Sequence, residues 1–153
     1  MNDIILSPIA YVQNSRKTVQ DDNWATIKSE IILADYIPSE ALDGIEAFSH
    51  LEIIFYMNQV SEAKAIARSR HPRNNLNLPK LGTYAQRNKS RPNKLGLTTA
   101  CLLKKEDRKL IVSHLDAIDN TPILDIKPVM KAFEPKGEII EPSWVKEIMK
   151  VYW

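Results

Sequence analysis

Apolar and polar residues alternate with a period of two over several short stretches of this chain, and a helical period holds over only a few. Between Thr26 and Leu33 the positions Ile27, Ser29, Ile31 and Leu33 oppose Lys28, Glu30 and Ile32, as in a strand with one buried face. Leu51–Met57 (LEIIFYM) is β-branched and aromatic throughout and gives the strongest strand signal. Leu81–Gln86, Leu95–Leu103, Lys109–Leu115 and Pro122–Lys127 are four more strand candidates, and Ile4–Val12, with Pro8 inside it, fits an edge or irregular β segment. Helices are expected at Ile37–Leu42, with Pro38 in the first turn, and at Ser61–Arg68, with Ser61 as the cap. A third is expected at Ser143–Tyr152, where Trp144, Ile148 and Val151 share a face. Ser15–Trp24 and Arg70–Leu78 read as loops. No internal repeat or low-complexity linker appears, so residues 1–153 are expected to form one mainly β, barrel-like domain with a few short helices.

Composition narrows the chemistry. One cysteine, Cys101, forms no internal disulfide, and with His50, His71 and His114 scattered along the chain it gives no metal-ligand spacing, so no metal is expected. Cys101 lies in an apolar stretch and reads as an inert buried thiol. His50 is expected to cap or pack, His71 to lie in a loop and His114 in a strand. No apolar run approaches the ~18 residues of a spanning helix, and the start of the chain lacks the pattern of a secretory leader. The expected location is therefore cytoplasmic, with no membrane partner. The four glycines, Gly44, Gly82, Gly96 and Gly137, are too far apart for a glycine-rich phosphate loop, which excludes the usual dinucleotide-type cradle.

Charge is unevenly distributed. The formal net charge is +2, yet from Ala63 to Lys105 there are 11 Lys and Arg and no Asp or Glu. All 19 acidic residues lie outside that segment. A basic run in an acidic frame is the footprint of phosphate contact, and Arg68, Arg70, Arg73, Lys89 and Lys94 are expected to track a nucleic-acid backbone.

Two stretches are candidates for chemistry. Gly82–Thr98 runs from a strand through an Arg-rich loop into another strand. Arg87 and Arg91 offer planar forks for a carboxylate or phosphate, and Asn88 and Asn93 offer amide edges. A solvated basic hairpin is the alternative reading of the same residues. In Leu115–Pro128 the run Asp119-Asn120-Thr121-Pro122 is a turn signature, and Asp125 and Lys127 share one face of a short strand. That pair is structural unless its face meets the Arg87–Asn93 loop.

These same residues resemble the TsaA-like (TrmO-like) family of S-adenosylmethionine-dependent methyltransferases. The family's central motif, G-x-[FY]-A-x-R-S-P-x-R-P-N-P-[IL]-G-L-[ST], is matched by G-T-Y-A-Q-R-N-K-S-R-P-N-K-L-G-L-T over Gly82–Thr98. D-G-T-P-[VI]-L-D-I-K-P is matched over Asp119–Pro128 with Asn120 in place of Gly, and G-[LI]-E-x-F-S-H-L over Gly44–Leu51. The resemblance runs from Ser7 to Trp144. It implies a non-Rossmann β-barrel methyltransferase, a homodimer with its cofactor near the subunit contact, and methylation of N6 of threonylcarbamoyladenosine beside the tRNA anticodon. By matching positions it implies cofactor contacts from Arg87, Leu97, Asp119, Asn120, Thr121 and Pro122. Asn58-Gln59 stands where the family has His-Gln, which adds Asn58 and Gln59.

The departures are Asn88-Lys89 for Ser-Pro and Lys94 for Pro, which make the loop more basic. Asp21-Asp22-Asn23-Trp24 replaces a Pro-Arg-Gln element of the tRNA enzymes, and the C-terminal extension of many members is not matched. The acceptor side is expected to use Arg91, Asn93, Lys89 and Arg73, with Asp125 as a candidate general base. Tyr84 and Trp24 are candidate stacking platforms, although Tyr84 alternates as a core residue would. Trp144, Tyr152 and Trp153 are expected to pack. Three readings stand at this stage: a tRNA methyltransferase, the same chemistry on a small metabolite or another nucleoside, and a non-catalytic RNA- or ligand-binding module.

Overall fold

The computed structural model describes residues 3–153. Six strands close into a barrel: β1 (Ala10–Gln13), β2 (Lys28–Leu33), β3 (His50–Tyr56), β6 (Leu95–Glu106), β7 (Lys109–Ser113) and β8 (Pro122–Pro128). Around the barrel they follow the order β1, β2, β7, β6, β3, β8, with every described pairing antiparallel. Two short strands, β4 (Ser69–Arg70) and β5 (Leu81–Gly82), form a separate ribbon.

The period-two pattern sorts the side chains. Val12, Ile31, Leu51, Ile53, Leu110, Val112 and Ile123 point inward and are almost completely buried, with Phe55 and Ala100 beside them. Gly96 faces the barrel interior opposite Phe55, and a Cβ built there would lie 2.3 Å from the Phe55 ring. The aromatic ring occupies the volume a side chain would need, so only glycine fits.

Strand direction matters most for function. The C-terminal ends of β1, β3 and β7 and the N-terminal ends of β2, β6 and β8 meet at one rim, by the antiparallel registers. The segments 14–27, 57–94 and 114–121 all leave the barrel there. The chain's last turn returns to the same rim after helix α1 (Trp144–Met149). Asn23 and Trp24 donate their backbone N–H groups to the carbonyls of Val151 and Tyr152, both at 2.9 Å.

Several expected elements take other forms. The expected Ser61–Arg68 helix is only a 3₁₀ turn at Glu62–Lys64, without a side-chain cap from Ser61. It buries no residue, and a short helix without a buried face has little to stabilise it. Ile37–Leu42 is likewise a 3₁₀ turn, at Ser39–Leu42. Leu81–Gln86 is a strand for two residues and then turns at Thr83–Ala85, which leaves Tyr84 76% exposed rather than in the core. Ile4–Val12 narrows to Ala10–Gln13. The helix expected to reach Tyr152 stops at Met149, and Val151 is exposed. His114 follows β7 with a left-handed backbone (φ 57°), outside the strand. Cys101 is half-buried, not enclosed, and its Sγ lies 3.3 Å from His50 Nε2.

Candidate functional site

The 82–98 motif is a loop strapped down from both ends. Thr83 Oγ1 donates to the carbonyl of Arg68 at 2.9 Å and accepts the Arg68 N–H at 3.1 Å, while Gln86 Nε2 donates to the carbonyls of Arg70 and Leu81 at 3.0 and 2.8 Å. Arg91 folds back to donate to the carbonyl of Gln86 at 2.8 Å, which gives the loop its turn. Arg87, exposed on the loop, donates through Nη2 to the carbonyl of Leu97, and so ties the loop to the first residues of β6. Asn93 is exposed beside Pro92. Asn88 Oδ1 is buried without a hydrogen-bond partner, so the loop retains an unmet acceptor next to Arg87.

Lys94 closes this loop from beneath. Its backbone is left-handed (φ 49°) and its side chain is buried. Its ammonium donates to the carbonyl of Val60 at 3.3 Å and to Glu62, and lies 4.9 Å from the centre of the Tyr56 ring. The Glu62 carboxylate, first among the causes, raises the Lys94 pKa and keeps it charged. The Lys94 carbonyl accepts the Met57 N–H at 2.8 Å. One residue thereby pins the segment that carries Asn58 and Gln59, both exposed, against the motif loop.

The Asp119–Pro122 turn lies on the same rim. Asn120 is left-handed (φ 61°), which explains why glycine's usual position tolerates asparagine. Asp119 is buried and fully engaged. Oδ1 accepts the Asn14 N–H at 2.9 Å, and Oδ2 accepts from Lys17 Nζ and Asn120 Nδ2, each at 2.8 Å. Lys17 and the Asn14 N–H hold its carboxyl below the usual carboxylate range. A hollow of about 520 Å³ opens beside this turn, lined by Tyr11, Gln13, Lys17, Asp35, Asp119 and Asn120.

Asp116 links the pieces: it accepts from Thr98, the residue after Leu97, and from the Tyr152 hydroxyl. Burial, with the negative charge of Asp116 beside it, pushes the Tyr152 hydroxyl pKa well up, so the phenol stays protonated. Trp153 stacks edge-on against Tyr152 with centroids 5.0 Å apart. Sequence reasoning assigned Asp116 and Tyr152 nothing beyond packing, because the contacts join residues 36 apart without a local pattern.

Asp125 lies on the outer wall, near the rim. Leu97 pairs with Ile54, and Ile54 with Asp125, so the three form one row across β6, β3 and β8. Two strand spacings, about 10 Å, separate Leu97 from Asp125. Lys127 Nζ holds Asp125 Oδ2 at 2.6 Å, and Asp125 Oδ1 accepts the Ile126 N–H at 2.9 Å. The expected pairing forms, and its face adjoins the strand residue that Arg87 grips.

The acceptor-side cations are less available than their number implies. Arg73 makes a two-point ion pair with Asp22 at 2.6 and 2.9 Å, and Lys89 pairs with Asp21 at 2.9 Å. Trp24 is buried beneath the Arg16 guanidinium, 4.3 Å from the ring centre, and offers no face to a base. Tyr84 offers one. Among the described residues no group of three His, Cys, Asp or Glu is placed to hold a metal ion, and no helix is long and apolar enough to cross a membrane.

Comparison with known proteins bears on this rim. The family model described as the tRNA-methyltransferase O N-terminal domain matches residues 9–134. The human tRNA (adenine(37)-N6)-methyltransferase is 37% identical over 105 residues, covering 69% of this chain and 23% of that protein. The Escherichia coli enzyme of the same name is 36% identical over 103 residues, covering 65% and 43%. A probable S-adenosyl-L-methionine-binding protein of Methanocaldococcus jannaschii is 31% identical over 124 residues, covering 80% of this chain and 89% of the relative. The crystal structure of TrmO from Pseudomonas aeruginosa superimposes with a TM-score of 0.70 at 26% identity, covering 91% of this chain and 62% of that one. The chain thus spans less than half of the tRNA enzymes' length and most of the archaeal relative's.

Proposed function

Because the chain belongs to the tRNA-methyltransferase O N-terminal domain family, we propose that it is an S-adenosylmethionine-dependent methyltransferase acting on N6 of an adenosine beside the tRNA anticodon, in its threonylcarbamoyl form. The observation that carries this reading is the convergence of the 58–59 segment, the 87–97 motif and the 119–122 turn on one rim. The relative of similar length named for the cofactor alone supports binding by a unit of this size.

The donor set fits the cofactor. Its carboxylate needs a cation, and Arg87 is exposed with one nitrogen engaged by Leu97 and the rest of its fork open. Its hydroxyl and amine groups need amides and carbonyls, which Asn58, Gln59 and Asn120 offer, while Thr121 and Pro122 hold the turn, the Thr121 main chain being bonded to Ile118 and Val12. The exposed Leu97 side chain supplies an apolar edge. When bound, the cofactor supplies a methyl group already activated by a sulfonium.

The protein's task is then alignment, which accounts for most of the acceleration in such a transfer. Lys94 fixes the two loops relative to one another, and Asp116 fixes Thr98 and the chain end. Arg91, Asn93, Lys89 and Arg73 border the acceptor side. Asp125 receives the N6 proton: once that nitrogen forms its fourth bond its N–H is acidic, and a carboxylate in reach serves as the base. We further propose a homodimer in the cytoplasm, built on the outer face of β6, where Leu95, Leu97 and Leu103 are 40%, 48% and 49% exposed.

Mass spectrometry of tRNA nucleosides from cells lacking this protein tests the reading. Loss of the methylated threonylcarbamoyl nucleoside is expected, and an unchanged level contradicts it.

A further inference from the structure

The ion pairs redistribute the charge of the basic segment. Of its cations, Arg73, Lys89, Lys94, Lys104 and Lys105 pair with Asp22, Asp21, Glu62, Glu106 and Asp43. Arg87 and Arg91 donate to main-chain carbonyls. Among the described residues, Lys64, Arg68, Arg70 and Lys80 meet no carboxylate within ion-pairing distance.

Three of those four line one hollow. It measures about 540 Å³, sits against the β4–β5 ribbon, and is bordered by Arg68, Ser69, Arg70, His71, Asn74 and Lys80 with no acidic residue. Arg70 Nε is buried without a hydrogen-bond partner. His71 Nδ1 lies 2.7 Å from the carbonyl of Leu78; a carbonyl only accepts, so Nδ1 carries the proton and fixes the ring at the hollow. Asn74, which lines the hollow, and Arg73 before it are successive left-handed residues (φ 57° and 51°). Three cations gathered without a counter-ion repel one another, and an anion relieves that repulsion while satisfying the open donor of Arg70.

We propose that this hollow is a seat for the phosphodiester backbone of RNA, with the exposed Tyr84 ring on the adjoining turn offering a stacking face to an unpaired base. The turn is held to the seat directly, because Thr83 clasps the backbone of Arg68 and Gln86 that of Arg70. RNA is favoured over a single small anion because the 76% exposed Tyr84 ring adjoins the cations and gives a base a stacking face. The inference rests on the tRNA reading above. It moves the backbone contact away from Arg73 and Lys89, which Asp22 and Asp21 already neutralise.

The test is the salt dependence of affinity for a fluorescent anticodon stem-loop RNA, with calorimetry of S-adenosylmethionine binding run on the same proteins. Removing one cation that neutralises a phosphate lowers the slope of log K against log salt by about 0.7 to 0.9. The combined change Arg68→Gln, Arg70→Gln, Lys80→Gln is expected to lower it by about two units with cofactor affinity unchanged. Because Arg70 is half-buried, the double variant Arg68→Gln, Lys80→Gln, changing only exposed residues, is measured too and should lower the slope by about 1.5 units. Lys104→Gln, at a cation paired with Glu106, should leave the slope intact. Unchanged slopes in both folded multiple variants, or displacement of the RNA by polyglutamate as readily as by unlabelled RNA, overturn the seat. So does a wild-type chain without salt-dependent RNA affinity. In that case cofactor heat retains a cofactor-binding site whose acceptor is not this RNA, and its absence removes both proposals.

Discussion

The Arg87 guanidinium donates to the main-chain carbonyl of Leu97, ten residues further along, and thereby fastens an exposed loop to the start of β6. The bond uses one arm of a planar fork and leaves the remainder directed by it. A lysine cannot do both, since it carries a single nitrogen without the fork geometry. Arg87→Ala is therefore expected to weaken S-adenosylmethionine binding about tenfold to a hundredfold, the range of a charge-assisted hydrogen bond. Arg87→Lys should recover little of it. Isothermal titration checks both, and wild-type affinity in Arg87→Ala would remove Arg87 from the cofactor site.

Gly96 tests the barrel itself. With the Phe55 ring 2.3 Å from any added Cβ, Gly96→Ala is an overpacking change expected to cost about 1–3 kcal/mol in urea unfolding. Combined with Phe55→Leu, the destabilisation should be smaller than that of the two single changes added, because the shorter side chain vacates the contested space. Additive effects would show that the two positions do not compete.

Asp119 sets an acid limit on stability. Its folded carboxyl is held below the unfolded value by Lys17 and the Asn14 N–H. Its contribution is therefore present above about pH 4, the ordinary Asp value, and is lost as pH falls through the lower folded value. Asp119→Asn should be less stable at neutral pH and should flatten the stability profile in that acid window. Thermal unfolding from pH 2 to 7 makes the comparison.

The strands were the legible part of this fold. Leu51–Met57 and Pro122–Lys127 fall within a residue of β3 and β8, since one face of each is buried against the barrel interior and period two follows from that. The Leu81–Gln86 stretch lies outside the barrel, where after two residues of ribbon it turns, and the side it buries carries Thr83 while Tyr84 ends in solvent. The motif positions of the site were legible too, as a run of residue types whose order matches a family. The partners of its cations were not. Arg73 and Asp22 lie 51 residues apart, and Lys89 and Asp21 lie 68 apart, so only closure of the barrel brings each pair together. That closure turned a segment with 11 cations into one small seat of unneutralised charge.

Asp125 separates alignment from proton transfer. Asp125→Asn keeps the shape of the β8 row but cannot take up a proton. It is expected to lower kcat for methyl transfer by about 10²-fold, with cofactor affinity unchanged, as for removal of a positioned base. Single-turnover assays decide it, and near-wild-type kcat would assign Asp125 a purely structural pairing with Lys127.

Methyl transfer to tRNA by this rim is tested most directly with the purified chain, methyl-labelled S-adenosylmethionine and tRNA bearing threonylcarbamoyladenosine. The expected result is label on N6 of that adenosine and none on tRNA with guanosine at the position. Folded protein that binds the cofactor yet transfers no label to this tRNA would contradict it.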